Sequence, residues 1–132
     1  MKTVFADSCY WIALLYPKDD LHERAMSVSR SLGPVKIVTT EMVFVEVLNL
    51  LGKYGDHLRL AGAKLVGETK ANPNCQVILQ TSIQFQRALD QYKKHEDKRW
   101  SLTDCASLRE LGILEALSHD DEFKQAGFSV LL

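Results

Sequence analysis

The chain has 132 residues, with 16 Lys and Arg against 17 Asp and Glu, and 46% of its residues are hydrophobic. High apolar content at near-zero net charge excludes a disordered chain and a nucleic-acid binder driven by bulk positive charge. The longest apolar run, Cys9 to Tyr16, falls far short of the roughly 18 residues of a membrane span.

The length suits one domain over residues 1–132. Asp7 and Lys18 bracket the Cys9–Tyr16 run without the charged leader or cleavage site of a secretory signal. Cys9, Cys75 and Cys105 are odd in number, widely spaced and free of any C-x-x-C. They suit small buried side chains in a cytosolic protein better than disulfides, a zinc site or a nucleophile.

Thr3 to Ala6 reads as a short buried strand, and Tyr10 to Leu15 as a helix stopped by Pro17. Leu21, Ala25, Val28 and Leu32 recur at helical spacing until Gly33-Pro34 breaks the pattern. Val35 to Thr39 is a second strand. Met42 to Leu51 is a strongly apolar helix ending at Gly52, and Asp56 to Thr69 is another helix with Leu58, Ala61 and Leu65 on one face. After the Asn72-Pro73-Asn74 turn, Val77 to Leu79 forms a third strand. Phe85, Ala88, Leu89 and Tyr92 mark a helix, and Ser101 to Leu111 another that Gly112 stops. Ile113 to Leu117 and Ser129 to Leu132 complete five strands.

Short apolar strands alternating with amphipathic helices predict an α/β fold, with a short parallel sheet flanked by helices on both faces. Such sheets bind ligands beyond the carboxyl ends of their strands. Four acids draw attention for that reason. Asp7 follows the first strand directly, between two apolar runs, and would also serve as a helix N-cap. Glu46 and Asn49 alone interrupt the apolar run from Met42 to Leu51. With Lys53 they form a narrow polar stripe, facing either water or a cleft on an otherwise buried helix. Glu41 sits in the first turn of that helix, where an acid suits the dipole. Asp104 fits a capping box with Ser101. Asp120 follows the strand Glu115 to Leu117, and either it or Asp121 would begin a short helix before Phe123.

If these acids converge, like charges at close range require a compensating cation. An all-oxygen ligand set selects Mg²⁺ or Mn²⁺, and such a site suits phosphodiester hydrolysis. The chain lacks a P-loop, a dinucleotide-binding G-x-G-x-x-G and a G-x-S-x-G elbow, and its four histidines lie far apart. A phospho-receiver domain would need an acceptor acid after the third strand, where Gln80-Thr81-Ser82 stands.

The chain resembles the PIN-domain ribonucleases, specifically the VapC-type toxins of bacterial toxin–antitoxin pairs. The resemblance spans essentially the whole length. It is carried by V-F-A-D-S-C-Y-W-I-A-L, D-D-L-H-E-R-A, V-T-T-E-M-V-F-V-E-V-L-N, W-S-L-T-D-C and E-A-L-S-H-D-D-E-F-K-Q-A-G-F, in that order. It implies a metal-dependent endoribonuclease that cuts single-stranded or loop RNA. The family's acids then fall on Asp7, Glu46, Asp104 and Asp120, as catalytic residues and ligands of Mg²⁺ or Mn²⁺. Ser8 takes the small hydroxyl position beside the first acid. A cognate antitoxin protein and a second copy of the chain are the implied partners, in the cytoplasm. The chain itself hints at a partner only through apolar residues in Tyr10 to Tyr16, a stretch equally suited to the core.

Lys98 and Arg99 lie in a basic stretch from Lys93 to Trp100. This stretch either contacts RNA phosphates, with Trp100 stacking on a base, or forms a solvated loop with Trp100 in the core. One departure stands out. Only C-A-S-L-R-E-L separates Asp104 from Gly112, about one turn less than in relatives. That shortening favours an alternative reading, a PIN-like module that binds RNA or antitoxin with weak or no cleavage.

Overall fold

The computed structural model describes residues 1–94, 108 and 111–132. The expected helix from Ser101 to Leu111 lies almost wholly outside these residues, as do Asp104, Cys105, Lys98, Arg99 and Trp100. In chain order the elements are β1 (Lys2–Ala6), α1 (Ser8–Leu15), α2 (His22–Ser31), β2 (Val35–Thr40), α3 (Glu41–Leu51) and α4 (Asp56–Ala71). There follow β3 (Cys75–Ile78), α5 (Ser82–Lys94), β4 (Glu115–Leu117), α6 (Asp121–Gln125) and β5 (Ser129–Val130).

The five strands form one sheet in the order β3-β2-β1-β4-β5, with all neighbours parallel. β1 is the centre. Val4, Phe5 and Ala6 are all fully buried, and successive side chains of a strand point to opposite faces, so both faces of β1 are covered. On one side Trp11 of α1 reaches Thr39 of β2 and lies 5.8 Å, ring to ring, from Phe44 of α3. Phe123 of α6 stands 5.4 Å from Phe5 and packs edge-on against Phe128. The sheet grows outward from β1 in one direction and from β4 in the other. Right-handed crossovers therefore place the β1–β2 and β2–β3 connections on one face and the β4–β5 connection on the opposite face.

The helix starts follow from local chemistry. Asp7 caps α1 by accepting the Ser8 N–H at 2.8 Å, and Thr40 caps α3 by accepting the Val43 N–H at 3.1 Å. α1 ends at Leu15, two residues before Pro17, where the proline bars helical backbone. Between α3 and α4 a 3-10 turn, Gly52–Tyr54, leads into Gly55 at φ 102°. Only glycine takes that conformation without strain, and it reverses the chain so that α4 lies against α3.

Three expectations shift. The third strand is Cys75–Ile78 and leaves Leu79 outside, 60% exposed. The last two strands are shorter than their apolar runs, at Glu115–Leu117 and Ser129–Val130. α3 is not apolar and buried all round: Val45 and Leu48 are exposed beside Glu46 and Asn49, so the polar stripe is one part of a broader open face. No ion pair joins Glu46 to Lys53 among the described residues. The apolar residues Tyr10 to Ala13 are core, not an exposed surface.

Candidate functional site

In the strand order β3-β2-β1-β4-β5 the sheet changes its direction of growth between β1 and β4. The connections leave these two strands toward opposite faces, and a crevice opens beyond their carboxyl ends. Asp7 is the first residue after β1 and Asp120 lies three residues after β4. The chain thus delivers both acids to the same crevice. Glu46 enters from the second turn of α3, whose first turn starts directly at the carboxyl end of β2.

Asp7 is the best anchored of the three. Its N–H donates to Leu117 O at 3.2 Å, which ties the end of β1 to the end of β4. Its carboxylate accepts the Ser8 N–H on Oδ1 and the Ser118 hydroxyl on Oδ2, at 2.8 and 2.9 Å. Its proton affinity is nonetheless raised above the ordinary carboxylate range. Burial is the largest cause, opposed by those two hydrogen bonds and reinforced by the negative charges of Glu46 and Asp120. Glu46 and Asp120 are each therefore within electrostatic reach of Asp7. Glu46 and Asp120 themselves are exposed. Asp120 caps α6 by accepting the Glu122 N–H at 2.9 Å on Oδ1, which selects it over Asp121 as the cap.

Asp104, Lys98 and Arg99 lie outside the described residues. Among the described residues no three carboxylate, imidazole or thiol side chains sit close enough together to grip one metal ion. Ser8 is half-buried at the start of α1 beside Asp7. His119 is an exposed loop residue, and beyond it an open cleft of about 490 Å³ is lined by His119, Asp121, Lys124 and Ser129 together with the β5 end. Lys124 places one cation along that cleft.

Several residues at the site escape sequence reasoning. Ser118 is fully buried between β4 and Asp120, and accepts the Asp120 N–H at 3.0 Å while it donates to Asp7. Cys9 accepts the His119 N–H through Sγ at 3.3 Å and stands 3.6 Å from Ser118 Oγ. Thr39, also fully buried, donates to Ala6 O at 2.9 Å and accepts the Trp11 indole N–H at 3.3 Å. Each of these is a small polar side chain in an apolar stretch, and only burial distinguishes it from its neighbours.

The geometry has counterparts among known proteins. The 23S rRNA-specific endonuclease VapC20 of Mycobacterium tuberculosis, from strains CDC 1551 / Oshkosh and H37Rv, is 27% identical over 128 residues. That similarity covers 95% of this chain and 95% of the relative. The crystal structure of M. tuberculosis VapC20, described as a sarcin-ricin loop cleaving toxin, superposes with a TM-score of 0.81 over 95% of both chains. No protein-family profile matches the chain.

Proposed function

We infer that this chain, a homologue of the VapC-type PIN-domain toxin ribonucleases, is an endoribonuclease that hydrolyses a phosphodiester bond in a ribosomal RNA loop. The observation that carries the reading is Asp7 anchored at the crevice between β1 and β4, with Glu46 and Asp120 each within electrostatic reach of it. The likeness to VapC20 over nearly the whole chain supports the substrate class.

The donor chemistry of these acids suits a hard divalent cation, although the three described ones do not by themselves close around one ion. Three carboxylates contribute only oxygen donors, and Asp7 is held partly against ionisation by burial and by its two acidic neighbours. A hard cation relieves that conflict. Asp7, Glu46 and Asp120, with Asp104, would hold Mg²⁺ or Mn²⁺. Such an ion, when bound, acidifies its water and steadies the charge that develops on the phosphate.

The chain's own residues do the rest. Ser8 N–H and the Ser118 hydroxyl fix both oxygens of Asp7, so its carboxylate presents one orientation to the crevice. Glu46 is exposed and meets the solvent from which the attacking water comes. Ser8, Lys98 and Arg99 are assigned to the RNA, with the two cations on phosphates. An antitoxin protein and a second copy of the chain are assigned as partners in the cytoplasm. Exposed Val45 and Leu48 on α3 offer apolar surface for protein contacts.

The test uses the purified chain and an RNA stem-loop with the sarcin-ricin sequence of 23S rRNA. Cleavage at one position is expected, abolished by EDTA and restored by Mg²⁺ or Mn²⁺. Asp7→Asn and Glu46→Gln should each lower the rate by about 100-fold or more while the fold persists. Undiminished cleavage by both variants overturns the reading. Tight RNA binding without turnover at any divalent ion replaces it with a binding module.

A further inference from the structure

The open cleft of about 490 Å³ beyond His119 takes no part in the chemistry assigned above, yet it opens off the same loop. Its volume falls in the range of small-molecule sites, roughly 300–1,000 Å³. His119 stands directly before Asp120, and its N–H is tied to Cys9 Sγ at 3.3 Å. On the other wall the chain after β5 returns to this loop, where the Leu132 N–H donates to Ser118 O at 3.2 Å. Lys124 follows Asp120 by four residues, about one turn along α6. The cleft and the acid Asp120 thus share one loop and one helix.

The lining is mixed. Val130 and Leu132 are half-buried and supply an apolar surface, whereas His119, Asp121 and Lys124 are exposed polar groups along it. Asp121 and Lys124 lie three apart on α6 but form no ion pair with each other or with any other described residue. A free ammonium meets a phosphate as a point charge. An imidazole ring beside apolar side chains offers a face on which a base stacks. The Asp121 carboxylate repels phosphate and so confines it to the Lys124 end. A carboxylate only accepts hydrogen bonds, and the exocyclic amino groups of adenine, cytosine and guanine are donors that uracil lacks.

We propose that this cleft is a subsite for one unpaired nucleotide of the RNA substrate beside the scissile bond. Lys124 takes its phosphate. His119 and the apolar surface take its base, and Asp121 accepts from the exocyclic amino group, so uracil is disfavoured there. The proposal deepens the endoribonuclease reading and rests on it, and the measurements keep the two separable.

The full chain carries the test as Lys124→Ala, Lys124→Arg, His119→Ala, His119→Phe and Asp121→Asn. Lys64→Ala, at an exposed lysine on α4, is the control for bulk charge. All four positions are exposed, so the variants keep the fold. Affinity for the RNA stem-loop is read by fluorescence anisotropy in EDTA, and kcat and KM with Mn²⁺. Lys124→Ala is expected to weaken binding and raise KM by about 5- to 10-fold, with kcat within about twofold. Its affinity should also fall less steeply with salt, by about 0.7 in log–log slope, the share of one phosphate on a single strand. Lys124→Arg should stay near wild type. His119→Ala should weaken binding by about 5-fold or more, and His119→Phe, which keeps a stacking face, should not. Stem-loops carrying uridine at one unpaired position at a time should show one position beside the cut where uridine weakens wild-type binding. Asp121→Asn, whose NH2 donates to a uracil carbonyl, should relax that preference. Wild-type affinity and KM in both Lys124→Ala and His119→Ala overturn the proposal, as does an equal loss in Lys64→Ala. Uridine tolerated equally at every unpaired position overturns the role of Asp121. A wild-type chain that cuts no RNA with any divalent ion overturns the endoribonuclease reading instead. The cleft is then decided by anisotropy alone, and RNA left unbound, or bound equally by wild type, Lys124→Ala and His119→Ala, overturns it too.

Discussion

Asp7 is held in a site that works against its own charge. Burial and the charges of Glu46 and Asp120 raise its proton affinity in the folded chain, while Ser8 and Ser118 only partly offset them. A carboxyl whose folded pKa lies above its unfolded value stabilises the fold fully below the unfolded range, near 3.9. That contribution is lost as pH rises through the folded value. Above that folded value the buried charge is a cost to the metal-free fold. Asp7→Asn removes the charge and keeps the acceptor for the Ser8 N–H, while its NH2 turns a donor toward Ser118 in place of the second oxygen. The variant should melt above wild type at pH 7 in EDTA, by about 1 kcal/mol or roughly 4 °C for a domain of this size. The gap should close toward pH 4. A gap unchanged with pH would show that burial of the charge is not its source. Thr39 presents the opposite case, a buried polar side chain fully used by Ala6 O and the Trp11 indole. Thr39→Val keeps the shape and orphans both partners, so denaturant melts should show a loss of about 1–3 kcal/mol. Asp7 and Glu46 were conspicuous in the sequence as acids among apolar runs, whereas Asp120 stood out only as one of two acids after a strand. Ser118 and Thr39 were not, since a hydroxyl among apolar residues carries no periodic signal and shows its role only when its partners are in place.

The helices show where local pattern suffices and where contact decides. α3 and α4 were both read from their apolar spacing, but the closeness of their approach was not, because it depends on Gly62. A Cβ there would lie 3.1 Å from Leu48 Cδ2 and 3.2 Å from Leu51 Cδ1. Leu48 is 38% exposed and has room to swing outward, whereas Leu51 is fully buried and has none. Gly67, on the same helix, is exposed and meets nothing within 4 Å. Gly67→Ala should stabilise by about 0.8–1 kcal/mol, the helix-propensity difference alone. Gly62→Ala should gain nothing or lose stability, because that difference is spent displacing Leu51. Parallel chemical denaturation of the two variants checks the contrast, and equal gains would mean that α3 and α4 are less tightly apposed. The edge strands were harder to place for a related reason. The apolar run Val77 to Leu79 looks like a strand on composition, but pairing with β2 fixes the register at Cys75–Ile78 and leaves Leu79 in solvent. Strand ends are set by the neighbour that accepts their hydrogen bonds, which one segment read by itself does not contain.

At the scale of the whole molecule, alternation of strands and helices made the parallel sheet legible, but not its order. The order β3-β2-β1-β4-β5 puts the direction change between β1 and β4, and so sets Asp7 and Asp120 at the same crevice, with Glu46 within electrostatic reach of Asp7. The proposed site also reinterprets the near-zero net charge. If its acids are neutralised around one cation, the rest of the surface is left with a modest basic excess toward a polyanion. Because the candidate ligands are assembled only by folding, an ion that binds them favours the folded chain over the unfolded one. The linkage is quantitative: at a free concentration 100 times Kd, a single site adds about 2.7 kcal/mol. Mn²⁺ should therefore raise the melting temperature of the wild-type chain progressively with concentration, and EDTA should reverse the rise. Asp7→Asn and Glu46→Gln, both folded, should melt almost independently of Mn²⁺. A rise of equal size in wild type and both variants would place the ion elsewhere on the surface and remove these acids from the site.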